Sequence, residues 1–160
     1  MQYLQRNGWN IYYHECFLRQ VTYLANVVLQ SQKANPQGWE STKEAKILAA
    51  IIKIIEENIP ANPQNKEYQQ GDTLGKKYKH WFRVKFFQRY RLFYRFSVKH
   101  KTIIIGWVND TDTLRTYGAK NDAYNIFAKM LKKGNPPGNW DDLLNQAKKD
   151  TGSYSNPLFP

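Results

Sequence analysis

An acid-free stretch, residues 76–101, constrains the fold of this chain more than any other part of it. The stretch holds ten of the 24 lysine and arginine residues and nine of the 24 aromatic residues. Side chains in a β-strand point alternately to opposite faces of the sheet. The order of residue types therefore predicts two antiparallel strands that meet at a tight turn near Gln88, with one apolar face and one cationic face.

Alternation assigns the residues of each face of this hairpin. The cationic face is predicted to carry Lys79, Trp81, Arg83, Lys85, Arg89, Arg91, Phe93 and Arg95, and the apolar face His80, Phe82, Val84, Phe86, Tyr90, Leu92, Tyr94 and Phe96. Lysine and arginine bind phosphates, and aromatic rings stack on unpaired bases. The cationic face is thus typical of an RNA-binding surface, and the alternative is the solvated hairpin of an ordinary basic protein.

The whole chain shares this basic character. Its 160 residues carry a formal net charge of +11. That length indicates one domain, which we place at residues 1–150, with a flexible tail at residues 151–160. The charge favours a polyanionic partner. A membrane surface would require a basic amphipathic helix, whereas the densest charge here lies on strand-like sequence.

The cysteine count and the hydropathy pattern indicate a cytoplasmic protein. Cys16 is the only cysteine, so an intrachain disulfide cannot form, and a half-buried structural role is favoured over a nucleophilic one. No apolar run approaches the ~18 residues of a membrane span, and the first residues lack the apolar segment of a signal peptide. We therefore expect a soluble protein in the cytoplasm, without a membrane partner.

Hydrophobic periodicity predicts the remaining elements. They are a strand at 9–13, a helix at about 15–33, a second helix that starts at a capping box at 41–44 and ends near 58, a long loop at 60–78, a strand at 102–108, a helix at 122–133 and a short helix at 140–148. This order predicts an α+β domain with two N-terminal helices packed on a small antiparallel sheet and a C-terminal helix.

Several short segments of the chain resemble the YhaV family of type II toxins, within the RelE/ParE superfamily. They are QGDTLG (70–75), KHWFR (79–83), KFF (85–87), YRLF (90–93), WVND (107–110), GNPP (134–137) and WD (140–141). The resemblance covers about residues 6–148. It implies a RelE-like fold and an endoribonuclease that cuts mRNA, with cleavage linked to translation on the ribosome, and so inhibits growth. It also implies a PrlF-like, AbrB-type antitoxin that forms a hetero-oligomer with the toxin and could bring it to operator DNA.

The resemblance also implies which residues carry the chemistry. Arg83 and Lys85 match two basic residues of RelE-type toxins, Arg91 matches the arginine of the hairpin, and Tyr117 is the candidate tyrosine after the last strand. Arg115 is the nearest substitute for a further basic residue. Together with the cationic-face residues Lys79, Trp81, Arg89 and Arg95, Arg115 is assigned to RNA binding.

Cleavage of RNA by its own 2′-hydroxyl needs a base, an acid and stabilisation of negative charge, but no cofactor or metal. Lys85 is the leading candidate for the base, because neighbouring cations favour its neutral form. His80 has suitable chemistry, but alternation places it on the apolar face, where a structural role is favoured. Asp110 and Asp112 fit a turn better than a metal site. A non-catalytic nucleic-acid-binding domain, or a gyrase-directed toxin of the ParE type, is the alternative function.

Overall fold

The computed structural model describes residues 3–154, which form five strands and five α-helical segments. The strands are β1 (Leu4–Arg6), β2 (Trp9–Tyr13), β3 (Phe82–Phe86), β4 (Tyr90–Ser97) and β5 (Thr102–Val108). The helices are α1 (Glu15–Ala34), α2 (Lys43–Lys53), α3 (Ile59–Ala61), α4 (Ala123–Lys132) and α5 (Trp140–Ser153). This α+β architecture confirms the fold class predicted from the sequence.

The five strands form one mixed sheet in the order β1-β2-β5-β4-β3. The β2–β5 pair is parallel, and the other neighbouring strands are antiparallel. The sequence predicted a wholly antiparallel sheet. The parallel pair was missed because periodicity identifies strands but does not give their partners. It also missed β1, which joins β2 through a two-residue turn at Asn7 and Gly8, both with positive φ.

Helices α1 and α2 cover one face of the sheet and enclose the larger apolar core, which includes Phe17, Ile51 and Leu92. The cap of α2 differs from the predicted capping box by one residue, because the hydroxyl of Thr42, not that of Ser41, accepts a hydrogen bond from the Ala45 amide. The helical path also continues past residue 58 through a π-helical turn, Ile54–Asn58, into α3. Proline lacks the N–H of a regular helical bond, and this wider turn ends two residues before Pro60.

The hairpin of β3 and β4 is present as predicted, with the turn at Phe87, Gln88 and Arg89. Phe87 and Gln88 have φ values of 44° and 63°. The left-handed region is normally occupied by glycine or asparagine, so this turn forms without its usual residues.

The middle of the predicted cationic face is covered by a second apolar core, whereas Lys79, Lys85 and Arg89 stay exposed. Trp81, Phe93 and Trp107 on the sheet pack against α4 and α5, and Trp81 is fully buried. A Cβ atom on Gly106 of β5 would lie 2.4 Å from the Trp81 ring, so glycine makes room for the indole. The prediction that Trp81 is displayed for RNA binding was wrong, because alternation gives the face of a residue and not what covers that face.

Helix α5 extends beyond residue 150, the predicted end of the domain. Thr151 is buried, and its hydroxyl accepts a hydrogen bond of 2.8 Å from the Tyr13 amide. The rest of the predicted tail, residues 155–160, lies outside the described residues. Within residues 3–154, no helix is long and apolar enough to cross a membrane.

Candidate functional site

The hydroxyl group of Tyr124 is the centre of a cluster of cations at one end of the second core. Tyr124 lies in the first turn of α4, which is fixed by its N-cap residue Asp122. The Nε atoms of Arg83 on β3 and Arg91 on β4 each donate to the Tyr124 hydroxyl at 3.0 Å. The Tyr124 ring is held edge-on against Phe93. Two strands and one helix therefore hold both guanidinium groups side by side.

Arg83 and Arg91 are buried, with 8% and 7% of their surfaces exposed. Their remaining hydrogen bonds go to neutral acceptors. Nη1 of Arg83 donates to the Glu67 carbonyl at 2.8 Å, and Nη1 of Arg91 donates to the carbonyls of Gln88 and Tyr90, each at 2.9 Å. Among residues 3–154, neither guanidinium has a carboxylate within ion-pair distance. A buried cation without an anion is unfavourable, so this pair is suited to an anion supplied from outside.

Arg115 completes the cluster from the loop after β5. Its guanidinium lies 4.7 Å from the centre of the Tyr124 ring and 4.0 Å from that of Tyr117. Unlike Arg83 and Arg91, it is paired with a carboxylate, at 2.9 Å from Asp122. Burial opposes the charged form of Arg115, but its hydrogen bonds with Asp122 and Tyr117 outweigh this effect and raise its pKa. Tyr117 is 87% exposed, so its ring is open to a ligand.

Lys85 and Arg89 lie at the open edge of this cluster. Lys85 is exposed on the edge strand β3, directly opposite Arg91 in the strand register. Arg89, in the hairpin turn, donates to the Arg115 carbonyl at 3.2 Å and to the Thr116 hydroxyl at 2.9 Å. The fold therefore brings together six of the residues singled out in the sequence: Arg83, Lys85, Arg89, Arg91, Arg115 and Tyr117.

His80 and Arg95 lie in a separate group near the start of α5. Nη1 of Arg95 donates to the Gly138 carbonyl at 2.8 Å, and its guanidinium lies 5.7 Å from the centre of the Trp81 ring and 5.4 Å from that of Trp140. Burial lowers the pKa of Arg95 to about 10, so the side chain stays charged at neutral pH. His80 is exposed just before β3, which corrects its predicted position on the apolar face. Partial burial, and then the charge of Arg95, lower the pKa of His80.

Two of the other residues considered in the sequence have partners within the loops. Lys79 forms an exposed ion pair of 3.2 Å with Asp72. The Asp110 carboxylate accepts hydrogen bonds from Gln20, from the Asp112 amide and from the Thr113 hydroxyl, as the predicted turn role requires.

Tyr124 was missed by sequence reasoning because it reads as an apolar residue on the buried face of α4. A signal was present nonetheless. Tyrosine is the only residue on that face with a hydroxyl group, and buried tyrosine hydroxyls need hydrogen-bond partners. The unpaired arginines of the neighbouring strands could have been considered as those partners.

Fold and site together define a RelE-like α+β protein with two buried arginines that share one tyrosine hydroxyl. Residues 11–148 match the model of a family described as a toxin with endonuclease activity, of a toxin-antitoxin system. The chain is 45% identical over 152 residues to Ribonuclease toxin YhaV of Escherichia coli strain K12 and to Toxin YhaV of E. coli O6:H1, covering 93% of this chain and 99% of each relative. No solved structure matches the chain. The chain therefore belongs to the YhaV family of toxins with endonuclease activity.

Membership of this family has two consequences. The activity as an endonuclease agrees with the catalytic reading of the sequence and not with the non-catalytic alternative. As one component of a toxin-antitoxin system, the protein has an antitoxin as its partner.

Proposed function

We propose that this toxin is an endoribonuclease that cleaves mRNA by attack of a 2′-hydroxyl group on the neighbouring phosphorus, without a metal. The observation that carries the proposal is the Arg83–Tyr124–Arg91 arrangement, in which two buried guanidinium groups share one neutral acceptor and have no carboxylate among the described residues. The name of the E. coli K12 relative, a ribonuclease toxin, agrees with RNA as the substrate.

The scissile phosphate is the anion that this pair is proposed to bind. Guanidinium groups match phosphate oxygens with planar, charge-assisted hydrogen bonds. Because Tyr124 already fixes both Nε atoms, the two arginine side chains lose little conformational freedom when the phosphate binds. Preorganised donors of this kind stabilise the charge that develops in the transition state, and each is typically worth about a hundredfold or more in rate. Arg115, held by Asp122, adds a third positive charge beside the pair.

The reaction requires one proton to leave and another to arrive. A base removes the proton of the 2′-hydroxyl, the oxygen then bonds to phosphorus, and the bond from phosphorus to the 5′-oxygen breaks while an acid protonates that oxygen. The products are a 2′,3′-cyclic phosphate and a 5′-hydroxyl. We assign the base to Lys85, which is exposed opposite Arg91, and the acid to Tyr117, which lies against Arg115.

His80 is the second candidate for a proton-transfer role. Its lowered pKa favours the neutral form near pH 7, which can accept a proton. Its neighbour is Arg95, however, and among the described residues no hydrogen bond or ion pair joins His80 to the Tyr124 cluster. We therefore place His80, with Arg95 and Lys79, on the path of the RNA beyond the scissile phosphate.

The proposal extends to the partners and to the setting. We propose that the toxin acts as a single domain, in the cytoplasm, on mRNA that is being translated on the ribosome. We propose further that a PrlF-like, AbrB-type antitoxin neutralises it in a hetero-oligomer that binds operator DNA. An acidic segment of the antitoxin would supply the anion that Arg83 and Arg91 lack, and so exclude the phosphate.

Two measurements test this function. The purified protein is incubated with RNA in the presence of a chelator, and cellular mRNA 5′ ends are mapped after expression of the chain without an antitoxin. We expect cleavage in the chelator, and strong loss of cleavage in an Arg83→Lys variant, which keeps the charge but loses the planar donors. Cleavage that stops in the chelator, or that is unchanged in the variant, would contradict the proposal.

A further inference from the structure

A cavity of about 520 Å³ lies at the tip of the β3–β4 hairpin, on the face of the sheet opposite to the Arg83–Arg91 pair. We call it the hairpin-tip pocket, and its principal lining residues are Lys43, Lys46, Phe87, Arg89, Tyr90 and Leu114. The first two lie on α2, and the next three belong to the hairpin. No acidic residue lines this pocket, and none of its cations forms an ion pair within the described part of the chain.

Phe87 is the most unusual residue of the pocket. Its φ value is 44°, a conformation that bulky residues rarely adopt, and 53% of its surface is exposed. Glycine would fit the backbone there, and a polar residue would fit the exposure. Neither stability nor solubility explains a large apolar ring that is both strained and exposed. Such a ring therefore indicates a functional role.

Tyr90 supplies an independent indication of a ligand. The residue is 5% exposed and lines both the hairpin-tip pocket and the neighbouring cavity, and its hydroxyl is buried with no hydrogen-bond partner among the described residues. Burial, and then the charges of Asp110 and Glu44, raise the pKa of Tyr90. The hydroxyl therefore keeps its proton and is a donor without an acceptor among the described residues.

We propose that the hairpin-tip pocket binds one unpaired nucleobase of the RNA substrate, a neighbour of the cleaved nucleotide. In this site the base stacks on Phe87, an acceptor on the base meets the Tyr90 hydroxyl, and Lys43, Lys46 and Arg89 contact the flanking phosphates. Stacking on an exposed aromatic ring together with cations is how proteins hold single-stranded RNA. This inference rests on the proposed function and adds to it a site that selects where the RNA is cut.

The position of the pocket connects it to the cleavage site. Arg89 lines the pocket, and it also bonds to the carbonyl of Arg115, which belongs to the Tyr124 cluster. Tyr90 and Arg91 point to opposite faces of β4, so the two sites are separated by the hairpin itself. An RNA strand that passes around the hairpin tip reaches both, and the base in the pocket cannot belong to the nucleotide whose phosphate lies between Arg83 and Arg91.

The neighbouring cavity shows why RNA is assigned to the hairpin-tip pocket alone. That second cavity, of about 640 Å³, also has an exposed aromatic residue, Tyr23, but Glu44, Asp110 and Asp112 line it. Three carboxylates repel phosphates. Tyr23 therefore offers a matched control: an exposed ring beside a cavity of the wrong charge.

The test compares Phe87→Gly with Tyr23→Ala. Binding is measured by fluorescence anisotropy on a labelled single-stranded 2′-O-methyl RNA, which lacks the attacking hydroxyl, and cut sites are mapped on a natural RNA. We expect Phe87→Gly to melt no lower than the parent, because glycine relieves the strain at this φ. It should bind RNA on the order of tenfold more weakly, with an unchanged salt dependence, since stacking releases no counterions. Its cut sites should be less selective, and Tyr23→Ala should match the parent.

Other outcomes overturn the inference in distinguishable ways. If Phe87→Gly keeps both the affinity and the cut-site preference of the parent, the pocket binds no base, and the proposed cleavage chemistry is unaffected. If the variant keeps RNA binding but loses capture of the antitoxin, the pocket belongs to the antitoxin interface. A parent protein that neither binds nor cleaves RNA removes the proposed function and this site with it.

Discussion

The Nε atom of Arg91 donates to the Tyr124 hydroxyl at 3.0 Å, and the same oxygen accepts an equal bond from Arg83. A phenol oxygen has two acceptor positions and one hydrogen to donate. Both acceptor positions are filled by guanidinium groups. The tyrosine thus positions two cations at one point of the fold.

Removal of the Tyr124 hydroxyl oxygen should separate its effect on the position of the two arginines from the packing of the tyrosine ring. In Tyr124→Phe the ring still contacts Phe93, but two buried charged donors lose their common acceptor. We expect a loss of about 1–3 kcal/mol in the free energy of unfolding. RNA cleavage should slow by at least about tenfold at saturating RNA, because the guanidinium groups are no longer held in place. The measurements are denaturant unfolding and single-turnover cleavage.

Tyr23→Phe is the control for this variant, because Tyr23 is 74% exposed and lies outside the cluster. It should leave both quantities unchanged. Full activity in Tyr124→Phe would show that the hydroxyl does not organise the site.

Inorganic phosphate should stabilise the folded protein through the Arg83–Arg91 pair. A ligand that binds only the folded state raises the melting temperature as its concentration rises. We expect this rise in the parent and its loss in Arg91→Ala, together with about a hundredfold slower cleavage. Differential scanning fluorimetry across a phosphate series, at constant ionic strength, measures the effect.

Arg19→Ala is the matched control, since Arg19 is exposed on α1 and already paired with Glu15. It should keep the phosphate-dependent rise. An equal rise in Arg91→Ala would place the anion elsewhere. Alternation alone suggested that Arg91 is a surface residue, whereas the structure buries it with hydrogen bonds to Tyr124 and two carbonyls. The melting temperature of Arg91→Ala without phosphate therefore also tests this burial.

Gly106→Ala should destabilise the second core. Its Cβ atom would lie 2.4 Å from Trp81, a ring that is fully buried and cannot move aside freely. Overpacking of this kind costs typically about 1–3 kcal/mol. Gly138→Ala is the control, because nothing lies within 4 Å of its added Cβ and its φ is not positive. Urea unfolding of both variants checks the prediction, and equal stabilities would contradict the close packing of Trp81 on β5.

Cys16 should react slowly with thiol reagents in the native protein. Burial raises the pKa of its thiol to about 11, and the sulfur donates to the Asn135 side chain at 3.4 Å. Only the thiolate reacts, so at pH 8 we expect alkylation on the order of a hundredfold slower than for a free cysteine, rising with pH toward 11. Mass spectrometry of iodoacetamide-treated protein measures this rate, with urea-unfolded protein as the control. Rapid labelling of the folded protein would mean that the thiol is accessible and activated.

The sequence was sufficient for the parts of the fold that depend on local patterns. Helices α1 and α4 and strands β2 and β5 lie where periodicity predicted them, because one buried stripe or face decides such elements. The parallel pairing of β2 with β5 was not predictable in this way, because it depends on which strands meet in space. The coverage of Trp81 by α4 was missed for the same reason.

In the candidate site too, local patterns predicted some features, and contacts between distant segments decided the others. Alternation placed Arg83 and Arg91 on one face of the hairpin, and the structure brings both to one point. It could not show that Tyr124, more than thirty residues later in the chain, holds them there. His80 was misplaced because β3 begins only at Phe82, so that alternation does not extend to residue 80.

The most direct test of the central claim uses an RNA oligonucleotide with a single 2′-deoxy substitution at the mapped cut site. The account predicts that the parent protein binds this oligonucleotide as tightly as the all-RNA one but does not cleave it at that position. It also predicts that the all-RNA products end in a 2′,3′-cyclic phosphate and a 5′-hydroxyl. Cleavage at the deoxy position, or products with a 3′-hydroxyl, would show that the attacking group is not the 2′-hydroxyl and that Arg83, Arg91 and Tyr124 serve a different reaction.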